Sequence, residues 1–80
     1  MIYLIEERRT IGAFRTITAT SSFKEALRVF EDAKDKAGFG MGYDEIHKDG
    51  DKKDPSIVKY AKVGGSHNNT IIRIRQVKEV

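Results

Sequence analysis

Apolar and polar positions change their period several times along the chain, and each change marks an element. From Ile2 to Glu7 apolar residues fall on both faces, Ile2 and Leu4 on one and Tyr3 and Ile5 on the other. A strand apolar on two sides belongs inside a sheet rather than at its edge. Glu6 and Glu7 then point to opposite faces and cannot act as a carboxylate pair. Arg8 to Gly12 reads as a loop. Ala13 to Thr20 holds the β-branched residues Thr16, Ile17, Thr18 and Thr20 and predicts a second strand, antiparallel to the first.

The period then switches to that of a helix. Ser22 lies three residues before Glu25, the spacing at which the two side chains satisfy each other's free backbone N–H groups. Phe23, Ala26, Leu27, Phe30, Ala33 and Ala37 form an apolar stripe, and Gly38 can adopt the left-handed backbone that ends a helix. A helix over about 23–37 follows, with Arg28–Asp32 and Asp32–Lys36 as ion pairs on its wet face.

Beyond the helix, 43–47 predicts a short strand and the K-D-G-D run at 48–51 a turn. Ile57 to Val63 predicts a strand, 64–69 a hairpin loop, and Thr70 to Val80 a last strand. In that strand Ile72 and Ile74 alternate with Arg73 and Arg75, the mark of one dry and one wet face. The fold class is α+β: a single domain, residues 1–80, with one antiparallel sheet of four to five strands. The order is strand, strand, helix, then two or three strands. One helix covers one face of such a sheet and leaves the other to solvent or to a partner.

Charge sharpens this picture. The net charge of +3 is unevenly spread. Residues 1–40 are nearly balanced, 41–54 carry a net −2, and 55–80 a net +4. The chain has no cysteine, which excludes disulfides and thiolate metal sites and fits a reducing cytoplasm. Four apolar residues after Met1 are too few for a signal peptide or a membrane span, so a soluble, cytoplasmic protein is expected.

Chemistry-bearing motifs are few. The glycine run G-F-G-M-G at 38–42 follows a helix, whose negative end repels phosphate, and reads as a helix stop. Phe39, Met41 and Tyr43, interleaved with it, either cap the core or offer an adaptable apolar contact. His47, Asp49, Asp51 and Asp54 lack calcium-loop spacing and stand among Lys48, Lys52 and Lys53. His67 has only Ser66 beside it and no third group to orient a base. No catalytic, cofactor or metal residue is therefore assigned, and no enzyme activity is expected.

Binding is the remaining class. Arg73 and Arg75 share a face of the last strand; Lys59 could join them if its strand pairs in register, Arg15 if its side of the second strand is open, and Lys62 adds charge nearby. These five are the candidate nucleic-acid or partner contacts, with Tyr60 expected to turn toward the helix. Asp44, Glu45, Asp49 and Asp51 are candidate acidic partner contacts.

The segments M-I-Y-L-I-E-E and S-S-F-K-E-A-L, with the strand–strand–helix–strand order, resemble small phage and mobile-element proteins of the anti-CRISPR type. That resemblance implies a compact, non-enzymatic inhibitor docking on a host nucleic-acid-handling or defence complex. A nucleic-acid-binding module using a basic sheet face is the alternative, and a small-molecule sponge at an oligomer interface a second one. Partners would be a host protein or nucleoprotein complex, with direct nucleic-acid contact open, no membrane, and a monomer or dimer.

Overall fold

A computed structural model describes residues 1–10, 12–41, 44–65 and 68–78. The elements are β1 (Ile2–Arg9), β2 (Arg15–Thr20), α1 (Phe23–Lys36), β3 (Glu45–Lys48), β4 (Ile57–Gly64) and β5 (Asn69–Val77). They form one α+β fold: a five-stranded sheet in the order β2-β1-β5-β4-β3, every neighbouring pair antiparallel. The first strand is interior, as its two-sided apolarity requires, and β5 beside it is the other central strand.

The helix packs across β1, β2 and β5. Ala26, Phe30 and Ala33 face Ile5, Ala61, Ile72 and Ile74, all buried. Leu27, Val29 and Ala37 flank this core, and Phe23 is partly exposed with its ring 5.2 Å from that of Tyr3. With alanine at 26, 33 and 61, the bulk of this core is supplied by its isoleucines and Phe30.

Both helix ends are built locally. Ser22 has extended backbone, and its Oγ accepts the Glu25 N–H at 3.2 Å. The reciprocal half of the expected capping box does not form. The Glu25 carboxylate takes the Arg28 guanidinium instead, with Nε 3.0 Å away, and Ser22 N–H donates to Thr20 Oγ1. Arg28 thus pairs with Glu25 rather than Asp32, while Asp32–Lys36 forms at 3.2 Å. At the other end Gly38 takes φ +92°. The Phe39 N–H returns to the Lys34 carbonyl and that of Gly38 to Asp35, a complete left-handed stop. Phe39 folds back on the core as expected; Met41 is 74% exposed, and Tyr43 lies outside the described residues.

Two β-bulges set what each sheet face presents. In β2 an extra residue, Ile17, intervenes between Thr18, opposite Ile5, and Thr16, opposite Glu6. In β4 Val58 intervenes between Ile57, opposite Arg75, and Lys59, opposite Ile74. A bulge shifts side-chain parity by one, so residues on its two sides follow opposite alternations. No helix among the described residues is long and apolar enough to cross a membrane.

Candidate functional site

The sheet face away from α1 is the candidate site. Its centre is Glu6, on β1. Arg73 Nε donates to Glu6 Oε1 at 2.7 Å, and Arg75 Nε donates to the same oxygen at 3.1 Å. The register dictates this, because Glu6 stands opposite Arg73 and Leu4 opposite Arg75. Arg75 reaches on to the loop before β4, its Nη1 donating to Asp54 Oδ2 at 3.1 Å and to Ser56 Oγ at 2.7 Å. Asp54 also accepts the Ser56 hydroxyl at 2.6 Å and the Ser56 N–H at 3.1 Å. These bonds from Ser56, then from Arg75, hold the Asp54 carboxyl below its ordinary value.

On one side of this network lies a ring with two cations near it. The β2 bulge brings Phe14 to the open face, where the Arg73 guanidinium carbon lies 3.5 Å from the ring centroid and that of Arg8 5.3 Å. Arg8 makes no ion pair among the described residues, and its buried Nε has no acceptor there. Diagonally across the sheet, Tyr60 stands opposite Arg73 on β4, with Lys48 Nζ 5.8 Å from its ring centroid. Lys62, opposite Ile71, completes the face. Tyr60 also borders an open groove of about 1200 Å³ between β4 and the 48–55 loop, lined by Lys48, Lys52 and Lys53 and by the carboxylates Asp49 and Asp51. The remaining corner is apolar, with Ile2 and Leu4 on β1, Ala19 on β2 and Val77 on β5.

The five basic candidates do not all meet. Arg73, Arg75 and Lys62 share the open face. Lys59 and Arg15 are on the other side, because Lys59 stands opposite Ile74 and Arg15 opposite Glu7. Lys59 is ion-paired with Asp49. Arg15 Nη2 donates to the buried Glu7 at 3.1 Å, a carboxylate that Arg9 also contacts at 3.2 Å. The expected orientation of Tyr60 is likewise corrected: Ala61 and Val63, its neighbours in alternation, take the helix side, so Tyr60 faces out.

The acidic candidates do not form one platform. Asp49 is paired with Lys59, and Asp51 Oδ1 accepts the Lys53 N–H within its own turn. Glu45 accepts the Gly40 N–H at 2.5 Å and lies 2.9 Å from His47 Nε2, which together hold its carboxyl below its ordinary value. Asp44 is exposed, and its carbonyl accepts the Gly64 N–H. Among the described residues no cluster of three or more His, Asp or Glu could hold a metal ion. Ser66 and His67 lie outside them.

Sequence reasoning missed Arg8, Phe14, Tyr60 and Lys48 as members of one surface. Their joint signal was faint: single aromatics next to basic residues, on strands whose parity the bulges hide. Comparison with family models, curated proteins and solved structures found no match to this chain.

Proposed function

We propose that the chain is a small non-enzymatic binding protein that docks through the uncovered face of its sheet, in the manner of a phage-type inhibitor on a host nucleic-acid-handling or defence complex. The observation that carries this reading is the asymmetry of the sheet. One face is closed by α1, while the other combines ordered aromatic and arginine side chains with an apolar corner. Aromatic residues and arginine are the types enriched where proteins meet partners, and their side chains here are held in place by Glu6 and by ring stacking. An interface needs about 800 Å² per partner, an area one face of so small a domain can supply.

The test compares the two sides of the molecule. Arg8→Glu with Lys62→Glu reverses charge on the open face; Lys24→Glu with Lys36→Glu does so on the helix. Quantitative capture from host lysate, after circular dichroism has shown both variants folded, should lose the wild-type partner only with the first pair. Equal capture by both would remove the open face as the docking surface.

A further inference from the structure

The open face carries enough chemistry to name its occupant. The acids along it are already engaged: in the groove Asp49 pairs with Lys59 and Asp51 accepts the Lys53 N–H. Glu6 accepts from Arg73 and Arg75, and Asp54 from Arg75 and Ser56. What is left to interact outward is cationic and aromatic: Arg8, Lys62 and Lys48, none ion-paired among the described residues, with Phe14 and Tyr60. A protein partner of matching charge would need only an acidic patch. Two aromatic rings on an exposed antiparallel sheet, each with a cation beside it, add the means to stack unpaired bases while the cations take phosphates.

Spacing supports the same occupant. Phe14, immediately before β2, lies beside Arg8, which is opposite Ile71 and through it level with Lys62; Tyr60 is level with Arg73. Three strand spacings across and two residues along separate the backbone positions that carry the two rings by roughly 16 Å. At a stacked rise of about 3.4 Å per nucleotide, a strand bridging them is about five nucleotides long. Lys62 lies beside the Tyr60 end, two residues along β4, and the groove beside Tyr60 continues the track past Lys52 and Lys53.

We infer that the uncovered face binds single-stranded nucleic acid, laid diagonally from the Arg8–Phe14–Arg73 stack to Tyr60 and its lysine-rimmed groove. This rests on the reading of that face as the docking surface and adds the class of partner. A duplex buries its bases and would use the cations without the rings.

Fluorescence anisotropy on the full chain with oligo-dT and oligo-U of 3, 6 and 10 nucleotides, and with a 10-base-pair duplex, tests it. Affinity should rise steeply between 3 and 6 nucleotides, as the second ring comes within reach, and only gently from 6 to 10, as the strand enters the groove. With Arg8, Lys62 and Lys48 each on a phosphate, log affinity of the 6-mer should fall against log salt with a slope of about −2. Tyr60→Ala and Phe14→Leu, the latter keeping an apolar cover on Arg73, should each weaken binding roughly 5- to 100-fold. Lys62→Glu should flatten the salt slope. Duplex binding equal to single-strand binding, or ring variants without effect, would overturn the inference. So would absent oligonucleotide binding while Arg8→Glu with Lys62→Glu still abolished capture from lysate; that result leaves the docking face standing with a protein on it. No oligonucleotide binding together with capture unaffected by that pair would overturn both readings.

Discussion

The two faces of β1 and β5 are made from alternate residues of the same strands, yet they are held by different forces. Toward the helix, Ile5, Ile72 and Ile74 are wholly buried and make no polar demand on their surroundings. Away from it, Glu6, Arg73 and Arg75 are linked by directional bonds that satisfy one another at the surface. Burial there is partial, so the gain from charge pairing is modest, and its main effect is to fix side-chain positions. Stability and recognition are thus separated by the pleat of the sheet. The helix face can change only at the expense of the fold, whereas the open face can change its chemistry without a change of core.

The largest effect should come from the covered face. Phe30→Ala removes the biggest buried side chain of the helix stripe and should cost roughly 3–5 kcal/mol, enough to unfold a domain of this size. A thermal melt that kept its cooperative transition near the parent temperature would show that the core does not rest on that face. Glu6→Gln sharpens the contrast because it should act in opposite directions on fold and binding. It leaves Arg73 and Arg75 without their shared carboxylate, which should cost roughly 1–3 kcal/mol in urea titration. It also frees positive charge on the open face, so affinity for anionic oligonucleotides should rise. Unchanged affinity would mean the two arginines do not meet the ligand. The smallest effects belong to the helix surface. Ser22→Ala should cost about 1 kcal/mol through the lost cap to Glu25 N–H, while Arg28→Ala should leave the melt unchanged, since its pair with Glu25 is solvent-exposed. Arg28→Ala as damaging as Ser22→Ala would place a contact on the helix that the isolated fold does not show.

How much of this was legible differed along the chain. The helix announced itself by period, cap residue and terminal glycine, and β5 by its alternation of isoleucine and arginine, because each is a local pattern with one solution. The interior place of β1 followed from its apolar residues on both sides. The make-up of the open face did not follow. In I-V-K-Y-A-K-V the apolar residues fit neither parity cleanly, and the bulge at Val58 lets Ile57 and Ala61 take opposite faces although both are buried. The bulge at Ile17 does the same to β2, taking Arg15 to Glu7 and Phe14 to Arg73. A bulge is decided by pairing with a neighbouring strand, so a single stretch of sequence carries little trace of it. The acidic run at 44–54 misled for a related reason. Its charges looked like a patch until Lys59, His47 and the Gly40 N–H engaged Asp49 and Glu45.

The placing of β5 between β1 and β4 also governs when the molecule can become itself. The bond from Arg73 to Glu6 spans 67 residues of chain, and the whole β1–β5 ladder is of that kind. Before β5 emerges from the ribosome, β1 with β2 and β3 with β4 are two isolated hairpins, each too small to persist in water. The helix then has only part of its floor, since Ile72 and Ile74 arrive last. Folding should therefore be a late, single event after synthesis of the central strand, slow for the chain's length because its decisive contacts are non-local. Purified fragments ending before residue 69 should remain sensitive to protease along their length, and extension through residue 77 should confer protection all at once.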